Sequence, residues 1–378
     1  MQRRHFLQAL SASALLSTLP GTAWARDGKD YRKPLILIEL KGGNDGLNTV
    51  VPYADPLYAK LRPKLALPRD QILQLNGQLG LHPKLQPLMP LWQQQQLAIL
   101  HNVGYPQPNQ SHFRSIEIWD TASDSQSYLP DGWLTRQFSS ERVPASYAAD
   151  AAILGSQTLG PLLGRSRTVV LGSRKLEGGM MEDGMAGQQV SALEHLLKVE
   201  TDIGTAARGL HYGKVDTEFP KTGFGSDLKR VAQLIAGNSQ VAAFRLTLGS
   251  FDTHTNQLAT QDRLLGELAD GLAALSQALQ TMGKWNDTLI LTYAEFGRRV
   301  AENESGGTDH GMANVHFALG GRVKGGFHGE GPRLHDLDNG NLRYQIDFRS
   351  VYASVIDRWW NSDSSRVLGQ RYSPVAFI

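Results

Sequence analysis

The chain has 378 residues, 38 Lys and Arg against 36 Asp and Glu, a formal net charge of +2 and no cysteine. With near-balanced charge and no basic block, nucleic acid and anionic membrane are not expected as partners. The missing cysteine excludes disulfides, thiolate ligands and a Cys nucleophile, so any metal must be held by His, Asp, Glu, hydroxyl or backbone oxygen.

Residues 1–25 read as an address. Arg3-Arg4 is followed by Phe6-Leu7, a modest apolar run and the small-x-small pattern Ala23-Trp24-Ala25, the order of a bacterial twin-arginine export signal. Export through that machinery implies a periplasmic or secreted protein. About 350 residues remain, enough for one domain over 26–378 with a sizeable core. No later apolar run approaches the ~20 residues of a membrane span.

Leu35 to Leu40 is nearly continuous in apolar character, as in a parallel-sheet strand buried on both faces. It stops at Lys41-Gly42-Gly43-Asn44-Asp45-Gly46, leaving Asp45 just past a strand's carboxyl end, where open α/β sheets bind ligands. Residues 52–92 predict loops and short helices, with His82 structural. Leu97-Ala98-Ile99-Leu100 predicts a second buried strand, with His101 hydrogen-bonded at its exit. Pro106 and Pro108 delay a helix until about residue 109, so Ser111 falls at a helix start. Its hydroxyl can cap that helix, or it can be a nucleophile beside backbone N–H groups that bind an anionic ester.

Residues 120–225 form a weakly patterned insertion region, with strands at 152–154 and 169–171, a Gly- and Met-rich loop at 178–187 and a helix at 190–199. A helix around 227–235 precedes the strand Val241 to Leu248. That strand runs into Asp252-Thr253-His254, whose alternate side chains share a face in extended backbone. Leu264, Leu265, Leu268, Leu272, Leu275 and Leu279 follow at helical spacing and belong to the core. A strand over 288–293 ends at Glu295, Arg298 and Arg299, arginines that suit anion binding or a solvated surface. Asp309-His310 then sits in a glycine loop before a strand at 315–319, and a closing helix spans 347–360.

Strand exits thus offer Asp45, Asp252, His254 and Glu295, and a nearby loop adds Asp309 and His310. Such N/O donors suit one or two divalent ions, Zn or Mn first and Mg or Ca as alternatives. Two ions a few ångströms apart would assist phosphoryl or sulfuryl displacement.

The segments GGNDGLNTVVPY, SHFRS, FDTHTNQ, EFGR, GGTDHG and DFRSVY, with the export signal, resemble a family of exported bacterial proteins known as a domain of unknown function. That family is more distantly similar to the alkaline phosphatase and sulfatase superfamily. The resemblance implies a three-layer α/β/α sandwich with a mostly parallel sheet, and hydrolysis of a small phosphate or sulfate ester. It further implies Ser111 as nucleophile, Asp45, Asp309 and His310 as ligands of one ion, and Asp252 and His254 as ligands of another. Glu295 is either a ligand or a brace. The superfamily has a histidine four residues after its Asp, where this chain has Asn256. A non-catalytic exported protein of the same fold is the alternative.

Overall fold

The computed structural model of the chain describes residues 31–172 and 209–378. The export signal, the 178–187 loop and the 190–199 helix fall outside the described residues, as does part of the insertion region.

Among the described residues, nine strands form one sheet: β1 Leu35–Leu40, β2 Leu97–Gly104, β3 Ala149–Leu154, β4 Thr168–Leu171, β5 Val241–Leu248, β6 Leu289–Tyr293, β7 Asn314–Leu319, β8 Gly326–His328 and β9 Ile346–Asp347. Their order is β8-β2-β7-β6-β1-β5-β3-β4, with β9 also pairing with β2. Every pairing is parallel except the two made by β7, which runs against both β2 and β6. The expectation of a mostly parallel α/β/α sandwich therefore holds.

Strand β1 is central and explains the layers. All six of its residues are buried, and their side chains alternate between faces. Ile36, Ile38 and Leu40 pack with helix α4 (Gly223–Ala236) and helix α5 (Gln257–Thr281). Leu35 and Leu37 pack against Trp119 of helix α3 (His112–Thr121) and against Phe348, Tyr352 and Trp360. The six leucines anticipated on α5 all lie in the first of these cores, each contributing about 1.5–3 kcal/mol by leaving water. Among the described residues no helix is long and apolar enough to cross a membrane.

Two local expectations differ. His101 lies inside β2, since the strand extends to Gly104. Its Nε2 is buried without a partner, its ring lies 5.3 Å from that of Phe327, and burial lowers its pKa to about 4. The closing helix is α-helical only over Phe348–Ala353 and then widens to a π-helix over Ser354–Trp359.

On the α3 face, Glu39, Arg245 and Tyr293 form a buried polar string. Arg245 Nη2 donates to Glu39 Oε2 at 2.7 Å and Nε to the Tyr293 hydroxyl at 3.1 Å, and that hydroxyl reaches Asp120 Oδ1 at 3.4 Å. Burial raises the Asp120 carboxyl to about 8, against the attraction of Arg245 and with the repulsion of Glu39. Between about pH 4 and 8 the folded state keeps a proton that the unfolded chain has released, so stability falls as pH rises through that window. Asp120→Asn should remove this dependence. Its melting temperature should match the wild type near pH 4 and exceed it increasingly toward pH 8. Parallel pH profiles from thermal unfolding would disprove the assignment.

Candidate metal centre

Because β1, β5 and β6 run parallel, the segments after Leu40, Leu248 and Tyr293 leave the sheet at one edge. Strand β7 is reversed, so the loop entering it arrives at that same edge. This is how Asp309-His310, which precedes rather than follows a strand, joins Asp252-His254 and Glu295. The backbones then interlock. Arg298 and His310 form an isolated antiparallel bridge, and Gly311 N–H donates to the Gly297 carbonyl at 2.8 Å. Gly307 fits where no side chain could, since a Cβ there would lie 2.3 Å from the Thr253 oxygen.

Arg298 joins these loops. Its side chain is fully buried and donates to the carbonyls of Gly43 at 2.7 Å, Thr308 at 2.9 Å, Phe251 at 3.0 Å and Gly42, and to Asp252 Oδ1 at 2.6 Å. Neighbouring Arg299 is exposed. Of the two arginines, the first fastens the loops and the second faces solvent.

The donor atoms follow from what each imidazole does with its other nitrogen. His310 Nδ1 lies 2.8 Å from the Gln110 carbonyl, which can only accept, so Nδ1 carries the proton and the neutral ring presents a lone pair at Nε2. His254 Nδ1 faces the Asp309 carboxylate at 3.3 Å, with the same consequence. The two Nε2 atoms are 3.0 Å apart, and Asp252 Oδ1 lies 3.1 Å from that of His254 and 3.2 Å from that of His310. Three lone-pair atoms converge, an arrangement that needs a shared proton or cation. His112 adds another donor. Its Nδ1 donates to Glu295 Oε1 at 2.8 Å, while its Nε2 is buried without a hydrogen-bond partner, 3.3 Å from Asp252 Oδ2. Ligand atoms of His112, Asp252 and His310 all lie within 4.8 Å of one another.

Electrostatics agree with this convergence. Burial alone would raise the Asp252 carboxyl, but Arg298, His310 and His112 outweigh it and bring the value down to about 2. The hydrogen bond to Glu295 raises His112, against its partial burial. A hydrogen bond from Asn303 and the neighbouring His254 lower Asp309.

The remaining candidates occupy distinct places. Glu295 is buried beside His112, and its Oε1 also accepts the Gly42 N–H at 2.9 Å, the contacts of a brace, while its Oε2 is buried without a partner. Gly42 has φ +113°, and a Cβ there would lie 2.4 Å from the Asp252 nitrogen, so only glycine brings that N–H to Glu295. Asp309 is exposed and orients His254. Ser111 is exposed at the N-cap of α3, and its side chain makes no capping hydrogen bond. It sits between Gln110, whose carbonyl holds His310, and His112. Asp45 is buried apart from the cluster, paired with Arg62 and capping the short helix Gly46–Thr49.

The sequence does not single out His112, and it marks Arg298 for anion binding or a solvated surface, whereas that arginine side chain is buried among the loops. His112 lies in the SHFRS segment, beside the Ser111 hydroxyl. Its signal was its position as first residue of the helix that presents Ser111.

A family model described as "Protein of unknown function (DUF1501)" matches residues 32–369. No curated protein matches the chain. Among solved structures, the chain is similar to the C-terminal periplasmic domain of EcEptC from Escherichia coli in complex with Zn, at 10% identity over 78% of this chain and 74% of that one, with a TM-score of 0.39. It is also similar to the PsFucS1 sulfatase from Pseudoalteromonas sp., at 11% identity over 100% and 74%, TM-score 0.37. A third is the phosphonate monoester hydrolase of Agrobacterium radiobacter, at 10% identity over 76% and 68%, TM-score 0.36.

Proposed function

The chain belongs to the DUF1501 family of proteins of unknown function, and we propose, from its site, that it is an exported metal-dependent hydrolase of small phosphate or sulfate esters. The carrying observation is the triangle of lone-pair atoms from Asp252, His254 and His310, with edges of 3.0–3.2 Å. Donors so spaced suit a small ion with bonds of about 2.0–2.2 Å, and a set rich in imidazole with one carboxylate favours Zn or Mn over Mg or Ca.

Asp252, His254 and His310 would hold the ion, with His112 beside them. A divalent cation there supplies Lewis acidity that stabilises charge building on the ester oxygens. Ser111 is the proposed nucleophile. Its hydroxyl is not spent on capping, and it opens a ten-residue helix whose first N–H groups and dipole favour an anion. Ser111 Oγ loses its proton and bonds to the phosphorus or sulfur, and the alcohol leaves with a proton. Water then cleaves the serine ester and restores the hydroxyl. Asp309 and Gln110 fix the tautomers of His254 and His310, and Glu295 fixes that of His112.

Metal analysis of the natively exported protein, combined with a panel of aryl phosphates, phosphodiesters and sulfates, tests this reading. Bound Zn or Mn and turnover that Ser111→Ala abolishes are expected. A folded protein without metal would end the hydrolase reading, and equal turnover by Ser111→Ala would remove the nucleophile. Glu295→Gln, which turns the brace into a poorer acceptor, should weaken metal binding about 10–100-fold while the fold persists. Unchanged affinity in a metal titration would show that His112 is oriented without it.

A further inference from the structure

The loop after β1 already holds a cation of its own. Asp45 is 2% exposed and its carboxylate is fully engaged. Arg62 Nη1 donates to Oδ2 at 2.5 Å and Nη2 to Oδ1 at 3.1 Å. Gln257 Nε2 donates to Oδ2 at 2.5 Å, and the Leu47 N–H to Oδ1 at 3.1 Å. Arg62 is completely buried, and its remaining N–H groups reach the carbonyls of Val300 at 2.7 Å and Arg299 at 2.9 Å and Asn48 Oδ1 at 2.9 Å. Gln257 in turn accepts from the hydroxyls of Thr253 at 3.1 Å and Thr308 at 2.7 Å. The Asp45–Arg62 pair, with Gln257, thus ties the β1 loop to the two segments carrying Asp252-His254 and Asp309-His310.

A metal ion at Asp45 would have to displace that guanidinium, stranding a positive charge in a dry site and breaking five donor contacts. We infer that Arg62 stands permanently where a second ion would otherwise bind, so the centre takes one divalent ion per chain. On this inference Arg62 is a positioning residue for the ligand loops. The inference rests on the metal reading of the preceding section.

Its test is metal stoichiometry together with chemical rescue. Stripped wild type and Asp45→Asn, each titrated with Zn and with Mn, should both take up one ion per chain. Two ions in the wild type and one in Asp45→Asn would overturn the inference while leaving the hydrolase reading intact. No ion in either would overturn both. Arg62→Gly should bind Zn at least about tenfold more weakly, and added methylguanidinium should restore the affinity by refilling the cavity. Wild-type affinity in Arg62→Gly without rescue would remove the positioning role. If that variant does not fold, the Asp45→Asn stoichiometry alone decides.

Discussion

Arg298→Met is expected to destabilise the metal-free protein by about 3–5 kcal/mol, the cost of breaking a buried charged network from one side. Methionine replaces the apolar stem of arginine but none of its donors. The carbonyls of Gly42, Gly43, Phe251 and Thr308 and the Asp252 carboxylate would each lose one N–H donor, the Phe251 carbonyl keeping that of Thr253. Each buried acceptor left unmatched carries its own desolvation penalty. These groups come from three chain segments that converge on this one side chain, so relaxing one moves the others. Denaturant unfolding in the presence of chelator would measure the loss without the contribution of ligand binding. A change below about 1 kcal/mol would mean that the loops are held by something other than this guanidinium.

The second large effect concerns Asp252, the atom pair to which three imidazoles and one arginine turn. Asp252→Asn preserves size and one acceptor oxygen but removes the carboxylate charge that His112, His254 and His310 share. Metal affinity should fall by more than about 100-fold, beyond the 10–100-fold typical of a residue that merely orients a ligand. Calorimetric titration of the stripped protein with Zn or Mn measures it. Affinity equal to wild type would take Asp252 out of the ligand set. Stability gives an independent readout through pH. The Asp252 carboxyl is depressed from 3.8 to about 2, so its contribution is present above about pH 4 and disappears as pH falls toward 2. The side chain is 44% exposed, and solvent screening holds that contribution to about 1 kcal/mol or less. The wild-type advantage over Asp252→Asn should therefore be small at neutral pH and should close in acid.

Much of the sheet was legible because buried parallel strands are written as unbroken apolar runs. The runs at 35–40 and 241–248 coincide with β1 and β5, and the other strand expectations fall on β2, β3, β4, β6 and β7. Glycines and acids directly after those runs marked the edge where the candidate cluster lies. What pairing adds was not legible. No local pattern says that β7 runs backwards, yet that reversal brings His310 to Asp252. Arg298 and Arg299 are adjacent and chemically identical, and only the fold buries the first and exposes the second. Asp45 looked available because Arg62, 17 positions away, belongs to a segment with no periodic signal. His101 departs from its expected place at a strand exit for a simpler reason. The strand continues past it, so its ring entered the apolar layer beside Phe327.

The hydrogen bonds that shape the site span unusual lengths of chain. Arg298 reaches back 255 and 256 residues to Gly43 and Gly42, Gln257 reaches 212 to Asp45, and His310 reaches 200 to Gln110. Closing such loops costs entropy that local contacts do not, so these contacts are expected to form after the local ones. A nascent chain therefore has no metal trap to load, since Asp309-His310 emerges long after its future partners and binds poorly without them. On the proposed reading, the ion that loads the finished site would be set by the metal pool of the compartment where folding ends, more than by the ranking of intrinsic affinities.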